Sequence, residues 1–398
     1  MSVERPSTLE ALALGARAAG KLALDTEFMG EGRYRTLLCL IQLAIPDGAD
    51  GSERIEIVDP LAEDLDGAPL AAMLEDPAVQ VVVHAGRQDI ALMRRRFATN
   101  VTNVFDTQLA AGFAGMGAQS SYESLLAEML GVRLSKSASF TRWDARPLSP
   151  EQLAYAREDV VHLLELAAEL ERRLEKLGRL QWAYEECEPL ERSSDERDPG
   201  AIFARLPRVG GLSASSRPIA RELVKWREQT AMRQDRPVQS VLSDAALMEI
   251  AKRKPSSRSD LERIRGLRAG GMRRRADELL EAVERAREYP PDPPPEQPRP
   301  TLPRPEDAPL VSLAEALLRA RASEAGLAYE LLATRADLQA IVAARRTQGA
   351  GAGAGGALAD VRTLRGWRRE LVGEELLELL DGRVSLSVSG QRLEVHTP

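Results

Sequence analysis

The order of apolar runs in the first 190 residues constrains the fold of this 398-residue chain more than any other feature. Four short runs have the length and composition of strands, and they read KLALDTEF, LLCLIQLAI, RIEIVDP and VQVVVHA. Helical patterns lie near 86–97, 121–131 and 150–175. The order strand, strand, strand, helix, strand, helix predicts an α/β domain on a mixed sheet rather than an alternating parallel one.

The remainder of the chain has a different character. From 218 to about 289 the pattern indicates several short helices and no strand. The next segment, 290–309, holds 10 of the 24 prolines, which favours an extended, semi-rigid linker. A helical segment over 310–346 follows, then a loop that begins at 349 and contains GAGAGGA, a helix-like GWRRELVGEELLELL and a strand-like pair around VSLSVSGQRLEV. We therefore expect domains at 1–190, 213–289 and 310–398, with a linker at 290–309.

Composition excludes several classes of protein. The chain is 43% hydrophobic and 29% charged, which is ordinary for a globular protein, and no apolar run approaches the roughly 20 residues that span a bilayer. The first residues lack the pattern of a secretory signal, so we expect a cytoplasmic protein without a membrane partner. Cys39 and Cys187 are too few for a disulfide framework or a cysteine-based zinc site, and there are only three histidines. A bound metal would need carboxylate ligands, which favours Mg²⁺ or Mn²⁺.

Charge is segregated along the chain. The net charge is −7, but residues 217–275 carry 16 Lys and Arg against 7 Asp and Glu, a balance of +9 that leaves −16 for the remainder. Such a basic cluster can supply phosphate contacts whose strength falls with salt, although a solvated helical face has the same composition. The densest part comprises Lys252, Arg253, Lys254, Arg258, Arg263, Arg265, Arg268, Arg273, Arg274 and Arg275.

The segment KLALDTEF places two carboxylates on one side of a strand. Because side chains alternate along a strand, Asp25 and Glu27 share one face. The strand is apolar enough to be central in a sheet, where an unpaired carboxylate is costly unless a cation or several donors compensate it. An isolated pair of acids is also typical of a strand that runs into an exposed loop, so this motif alone leaves both interpretations open.

A third acid follows the strand that ends at His84. Asp89 falls in the first turn of the next helix, where an acid is either a capping residue or a site residue. Ligand sites of α/β folds collect at the carboxyl ends of strands, and Asp25, Glu27 and Asp89 all lie at such ends. His84 itself is interpreted as a packed, hydrogen-bonded residue.

The segment LSPEQLAYAREDVVHLLEL predicts one strong helix. Ser149 is its candidate N-cap, and Pro150 takes the first helical position. Tyr155 and Asp159 are four residues apart and so share one face of that helix. Such a pair usually marks the edge of a core, but with the other three acids it would complete four carboxylates beside a phenol.

Four converging carboxylates would repel one another strongly unless divalent cations lay between them. Two metal ions about 3.5–4 Å apart suit in-line attack on a phosphodiester, because one activates water and the other stabilises the leaving oxygen. With so few histidines, Tyr155 is the group left to position or deprotonate that water. The residues thus predict two divalent ions, Mg²⁺ or Mn²⁺.

Five motifs follow one another along the first 160 residues: DTEF at 25–28, His84 followed by Asp89, FDTQ at 105–108, RWDARPLS at 142–149 and YAREDV at 155–160. In this order they resemble the motifs of the ribonuclease D family, in the branch of the DEDD 3′→5′ exonucleases that has a tyrosine in its third motif. Downstream, RELVKWREQTAMRQDRPVQSVLSD and DLERIRGL are similar to the helicase-and-RNase-D C-terminal (HRDC) domain. The last domain resembles a second, diverged HRDC-like module. The resemblance covers most of the chain and implies a ribonuclease H-like α/β catalytic domain with a mixed sheet, followed by two small mainly α-helical domains.

The resemblance assigns roles to five residues. Asp25, Glu27, Asp89 and Asp159 match the metal-binding acids of the family. Tyr155 matches the tyrosine that orients the attacking water. Glu27 and Tyr155 are therefore the expected catalytic residues.

Residues beside these motifs have two interpretations each. Phe28 either wedges against a terminal base or packs on the sheet. Trp143 and Arg146 either shape the substrate channel or serve as a packing anchor and an ion-pair partner. Asp106 is interpreted as a helix cap or backbone ligand rather than a fifth metal ligand. The residues expected to contact nucleic acid are Phe28, Trp143, Arg146, Lys252, Lys254, Arg273 and Arg274.

The resemblance implies a metal-dependent 3′→5′ exoribonuclease that releases mononucleotides, with precursors of tRNA and other small structured RNAs as expected substrates. We expect a monomer without an obligate protein partner. Two alternatives stay open: a proofreading-type DNA exonuclease with the same acids, and a non-catalytic RNA-binding scaffold whose acidic pocket has decayed. The helical module favours RNA, and the retention of all five site residues argues against decay.

Overall fold

A computed structural model describes residues 8–47, 52–134, 142–264, 267, 269–293, 304–348, 361–390 and 392–396, with the backbone alone at 269–274 and 347–348. Parts of several predictions lie outside these residues. They are residues 294–303 of the predicted linker, the loop GAGAGGA, Arg265 and Arg268, and the side chains of Arg273 and Arg274. Over the described ranges, no helix combines the length and the apolar character that crossing a bilayer requires.

The N-terminal domain is built on a five-stranded mixed sheet. Its strands are Lys21–Met29 (β1), Leu37–Pro46 (β2), Glu53–Val58 (β3), Gln80–Val83 (β4) and Val104–Asp106 (β5). The spatial order is β3-β2-β1-β4-β5. The pairs β1–β2 and β2–β3 are antiparallel, whereas β1–β4 and β4–β5 are parallel. The sheet is therefore mixed, as predicted, with β1 at its centre.

Helices cover both faces of this sheet. They are Thr8–Ala19 (α1), Ala68–Leu74 (α2), Arg87–Phe97 (α3), Thr107–Phe113 (α4), Tyr122–Leu125 (α5) with a π-helical continuation at Leu126–Leu130, Pro150–Glu158 (α6), Leu163–Leu177 (α7) and Leu180–Cys187 (α8). Apolar residues of α1, α2 and α3 share a core with one face, and those of α4, α7 and α8 share a core with the other. Eight of the ten residues of β2 are buried, because both of its faces are covered and both of its edges are paired.

The single helix predicted over 150–175 is wrong, because the chain forms α6 and α7 there with a turn at 159–162. α6 begins as predicted, with Ser149 as its N-cap and a proline in the first turn. It ends after Glu158, where two successive acids meet the negative end of the helix dipole and two β-branched valines follow. Asp159 is consequently the C-cap residue of α6 rather than part of a continuing helix.

The region after α8 is helical, as predicted. Its helices are Pro199–Ala204 (α9), Arg217–Gln234 (α10), Val238–Val241 (α11), Asp244–Arg253 (α12), Arg258–Glu262 (α13) and Ala269–Arg287 (α14), with 3₁₀ turns at Glu188–Arg192 and Val209–Gly211 before α10. α10 packs against α9, α12 and α14. Apolar residues of α9 to α14 form a core of their own.

The C-terminal region combines helices with a hairpin. Its elements are a 3₁₀ turn at Pro305–Asp307, Ala308–Ala325 (α15), Tyr329–Leu332 (α16), Arg335–Gln348 (α17), a 3₁₀ turn at Arg362–Leu364, a helix of successive segments Gly366–Arg368, Arg369–Gly373 and Glu374–Leu380, and strands Ser385–Ser389 (β6) and Arg392–His396 (β7). Gly326, with φ +60°, divides the helical segment predicted over 310–346. The antiparallel hairpin lies where VSLSVSGQRLEV predicts it. The apolar residues of this region share one core with α4, α7 and α8.

Candidate active site at the carboxyl ends of the parallel strands

β1 extends beyond its parallel neighbour, and the extension carries the first two acids. β4 pairs only with residues 21–23, so from Asp25 onwards β1 is paired on one edge alone, with β2. A β-bulge after Glu27 leaves Cys39 of β2 without a partner in the β1 ladder and bends the end of the strand. Asp25 and Glu27 are both partly buried and lie on the same face of the sheet.

The first turn of α3 supplies the third acid. Asp89 is buried, and its Oδ1 accepts a hydrogen bond from the Thr26 hydroxyl of β1. Asp106 holds the preceding turn, because its carboxylate accepts hydrogen bonds from the backbone N–H groups of Ala85 at 3.1 Å and Gly86 at 3.0 Å. The same carboxylate caps α4, which confirms the capping role predicted for Asp106.

The last turns of α6 and the turn that follows it bring the phenol and the fourth acid to this end of the sheet. Asp159 lies close enough to Asp25 and Glu27 for its charge to raise the pKa of both. Tyr155 lies on α6 one turn earlier, with its ring 6.0 Å from the ring of Trp143. Burial, followed by the charges of Asp159, Glu27 and Asp25, raises the pKa of Tyr155 to about 12.

Burial and mutual repulsion disfavour the charged form of these carboxyl groups. Burial raises the pKa of Asp25 well above its usual range, and the charges of Asp89, Asp159 and Glu27 add to that rise. Burial, followed by the charges of Asp159 and Asp89, raises the pKa of Glu27 to about 8. Burial also raises the pKa of Asp159 to about 7 and that of Asp89 to about 6, the latter against the lowering effect of the Thr26 hydroxyl. A full set of four anions is therefore unfavourable at neutral pH in the protein alone.

The protein provides little positive charge to offset these acids. The largest influences on their four pKa values come from burial, other acids, the Thr26 hydroxyl and backbone groups, and none from a Lys, Arg or His in the described part of the chain. Within the same part of the chain, no three or more His, Cys, Asp or Glu side chains form a ready metal-binding group. The four acids therefore lie near one another but do not converge on one point. The convergence predicted from the sequence is not seen among the described residues.

Two residues expected to contact nucleic acid are engaged inside the protein. Trp143 is buried in a small cluster with residues of β2 and α6. Arg146 donates two hydrogen bonds of 2.6 Å to the Asp59 carboxylate and one of 2.8 Å to the carbonyl of Cys39. In this structure they are thus a packing anchor and an ion-pair partner, and their contact with nucleic acid stays a prediction. Phe28, in contrast, is 40% exposed beside the acid pair.

The basic residues of the helical domain lie at the end of α12 and beyond it. Lys252 is exposed, 3.9 Å from a carboxylate of the same helix. Lys254 donates a hydrogen bond of 2.6 Å to a serine hydroxyl near the start of α10. The side chains of Arg273 and Arg274 lie outside the described residues. Nucleic-acid contact by this set stays a prediction.

Three further polar residues lie beside the site, and none of them was predicted from the sequence as a site residue. Thr26 donates to Asp89, as described above. Burial raises the pKa of Tyr122, with the charge of Asp159 adding to the rise. Gln42 is fully buried in β2, directly opposite Asp25. A visible signal exists for Gln42, because it is a lone amide inside the apolar run LLCLIQLAI.

The N-terminal domain and the helical region after it each match a known protein family. A family described as 3′-5′ exonuclease matches residues 1–175, and the HRDC domain family matches residues 216–283. Ribonuclease D of Gluconacetobacter diazotrophicus is 37% identical over 377 residues, which cover 94% of this chain and 91% of that protein. The chain belongs to the ribonuclease D family. Ribonuclease D of Granulibacter bethesdensis is 36% identical over 400 residues, covering 99% of this chain and 96% of that protein.

A solved structure agrees with this assignment. The crystal structure of Escherichia coli RNase D, an exoribonuclease involved in structured RNA processing, matches with a TM-score of 0.77 and 28% identity over 94% of this chain and 96% of that chain. The predicted fold class, a mixed-sheet α/β domain followed by helical regions, is confirmed. The predicted activity class is confirmed as well: the protein is a 3′→5′ exoribonuclease.

Proposed function

We propose that the protein is a metal-dependent exoribonuclease that removes mononucleotides from the 3′ ends of tRNA precursors in the cytoplasm. In this proposal, residues 1–190 form the catalytic domain and 213–289 the RNA-binding HRDC domain. Residues 290–309 form a linker and 310–398 an HRDC-like domain. In the same proposal, the protein is a monomer and binds two divalent ions as cofactors. One observation carries the proposal: four partly or fully buried acids with raised pKa values lie near one another at one end of the sheet.

The chemistry of this donor set fits hard divalent cations. The proposed ligands are Asp25, Glu27, Asp89 and Asp159, which offer only oxygen atoms, as Mg²⁺ and Mn²⁺ prefer. Their raised pKa values and the lack of a cationic side chain among their strongest electrostatic neighbours indicate a site completed by external positive charge. When bound, such ions activate a water molecule and stabilise the leaving oxygen of a phosphodiester.

Tyr155 is proposed to orient the attacking water. A phenol whose pKa is raised to about 12 keeps its proton at neutral pH. It can therefore donate a hydrogen bond that fixes the position of the water or of a phosphate oxygen. Of the two roles open to Tyr155, positioning and deprotonation, the high pKa favours positioning. Glu27 is proposed to act both as a ligand and as a catalytic group beside the water.

The RNA end is proposed to enter beside Phe28. Its exposed ring, next to Glu27, can stack on the terminal base. The basic residues around Lys252 and Lys254 would then contact phosphates farther along the strand, without reading sequence. Such contacts predict binding that weakens steeply as the salt concentration rises.

Degradation of 5′-labelled RNA tests the activity and its site together. Wild-type protein with Mg²⁺ or Mn²⁺ should shorten the RNA one nucleotide at a time, and a chelator should stop the reaction. Asp25→Asn and Asp159→Asn should each lower kcat by more than about a hundredfold, because each removes a proposed ligand. Tyr155→Phe should lower it by about a hundredfold with Mn²⁺ binding retained.

Matched controls separate this proposal from its alternatives. Glu151→Gln, an exposed acid in the first turn of α6, should leave kcat unchanged. A DNA strand of the same sequence tests the proofreading-type alternative, which predicts that the DNA strand is degraded faster than the RNA strand. A tRNA precursor compared with an unstructured RNA carrying the same 3′ trailer tests the substrate. Near-normal activity of Asp159→Asn would contradict the proposed site.

A further inference from the structure

A fully buried amide lies directly opposite Asp25 in the sheet. Gln42 of β2 is 0% exposed, and the ladder between β1 and β2 pairs it with Asp25. Opposite residues of an antiparallel ladder project to the same face, so these two side chains stand side by side. The register is regular at this point, because the β-bulge comes only after Glu27.

Packing alone does not explain an amide at this position. Leu40 and Ala44, its neighbours along the same face of β2, are buried and apolar. Neither Nε2 nor Oε1 of Gln42 has a hydrogen-bond partner among the described residues. An unpaired buried amide is costly, and a leucine or methionine would fill the space without that cost. The buried amide of Gln42 therefore indicates a hydrogen bond that forms in the active state of the site.

We propose that Gln42 is a positioning residue for Asp25, with an amide N–H that donates a hydrogen bond to the Asp25 carboxylate when this carboxylate binds metal. The inference rests on the proposed metal site. It gives Asp25 a neutral donor equivalent to the one that Asp89 already has in Thr26. A neutral donor restricts the rotation of an ionised carboxylate and partly compensates its burial, without an opposite charge that would compete with the metal.

Metal binding measured by thermal unfolding tests this role independently of catalysis. The full-length protein is stripped with a chelator and titrated with Mn²⁺, and the Tm is followed. Gln42→Met removes both amide groups at similar volume, and Gln42→Leu is a second apolar variant. Both should unfold without Mn²⁺ at a Tm equal to or above that of wild type. The Mn²⁺ concentration needed for a given rise in Tm should increase about 10- to 100-fold.

The activity of the same variants should follow their metal affinity. The Mn²⁺ concentration for half-maximal RNA degradation should rise by the same factor, and kcat should recover in part at saturating Mn²⁺. Ile41→Val is the matched control, since Ile41 immediately precedes Gln42 in β2 and packs in the core on the opposite face of the sheet. It should lower the Tm without Mn²⁺ and leave the half-saturating Mn²⁺ concentration unchanged.

Two results would overturn the inference while leaving the metal site intact. One is a wild-type Mn²⁺ titration in both Gln42 variants. The other is a loss of metal-free Tm in both variants that exceeds the loss in Ile41→Val, because this would show a purely structural role. If wild type itself shows no Mn²⁺-dependent rise in Tm, the proposed metal site fails, and the role of Gln42 fails with it.

Discussion

The two regions that follow the catalytic domain contact it in opposite ways. The C-terminal region, from α15 to β7, continues an apolar core of the catalytic domain. The helical domain, from α9 to α14, has its own core and meets the catalytic domain through charged and hydroxyl groups and through the ring of Tyr34. Both regions were predicted as separate helical domains, yet only one of them has a core of its own.

Aromatic stacking joins the C-terminal region to the catalytic domain. The buried ring of Trp367 stacks on Trp182 of α8 at 5.1 Å and 17°, and meets the ring of Phe113 of α4 edge-on at 5.0 Å. Beside it, Arg368 forms an ion pair with Glu186 of α8. Burial of this kind is non-directional and insensitive to salt, so we expect the C-terminal region and the catalytic domain to unfold together.

A hydrogen-bonded cluster joins the helical domain to the loop after β1. Tyr34 donates a hydrogen bond of 2.9 Å to Glu228 of α10, which is 3% exposed. Arg197 donates two more to Glu228, at 2.6 and 2.9 Å. Arg33 pairs with Asp235 at 2.8 Å. These contacts depend on geometry and charge, and such interfaces permit relative domain motion more readily than apolar ones.

The polar and the apolar interface lie at different distances along the chain from the proposed active site. The loop that carries Arg33 and Tyr34 follows Phe28 and the acid pair directly along the chain. The polar interface therefore adjoins the proposed entry of the RNA end, whereas the apolar interface involves helices on one face of the sheet. Under the proposed function the helical domain would separate from the catalytic domain to admit RNA, which polar contacts permit at lower cost than apolar ones. The C-terminal region completes a core and has no such requirement.

The largest effect is expected at the apolar interface. Trp367→Ala should lower the free energy of unfolding by about 3–5 kcal/mol, because it removes two ring contacts and leaves a cavity. Denaturant unfolding followed by tryptophan fluorescence and circular dichroism measures this loss. Val388→Ala, at a position 77% exposed in β6, is the control and should change stability by less than about 0.5 kcal/mol. A loss below about 1 kcal/mol for Trp367→Ala would contradict the shared core.

An intermediate effect is expected at Glu228. Glu228→Gln weakens the hydrogen bonds to Arg197 and leaves the apolar core untouched, so we expect a loss of about 2 kcal/mol confined to the helical domain and its docking. Hydrogen exchange should accelerate in the loop at 30–36 and in α10, with no change around Trp367. Faster exchange in both interfaces would show that the two regions are not independent.

The smallest effect is expected at the exposed pair. Arg33→Ala should cost at most about 1 kcal/mol, because Arg33 and Asp235 are both accessible to solvent. Small-angle scattering and thermal unfolding at low salt should resolve a slight loosening of the helical domain. At about 1 M salt, where charges are screened within roughly 3 Å, variant and wild type should become indistinguishable. A difference that persists at high salt would assign Arg33 a packing role.

Local patterns predicted much of this fold. The four apolar runs became β1 to β4 because their length, apolar pattern and flanking residues are local properties. Ser149 and Asp106 were interpreted correctly as helix caps, since capping depends on the next few backbone N–H groups. The pattern gave no warning of β5, which has only three residues, or of the helix break after Glu158.

The carboxyl ends of strands also predicted where the acids would gather. Asp25, Glu27 and Asp89 lie at one end of the sheet, because parallel strands end on the same side, and the end of α6 places Asp159 near them. Their incomplete convergence was not predictable, because side-chain orientation depends on contacts such as that between Thr26 and Asp89. Their roles as metal ligands stay predictions.

The sequence by itself determined the family, the class of reaction and the elements that carry the acids, because motif spacing and hydrophobic period are encoded within short stretches of chain. Only the tertiary structure decided which residues far apart in sequence touch. The pairing of Gln42 with Asp25 depends on a strand register, and the pairing of Trp182 with Trp367 depends on how two regions pack. Register and packing are set by the burial of whole faces, a property of the assembled molecule that no single segment contains.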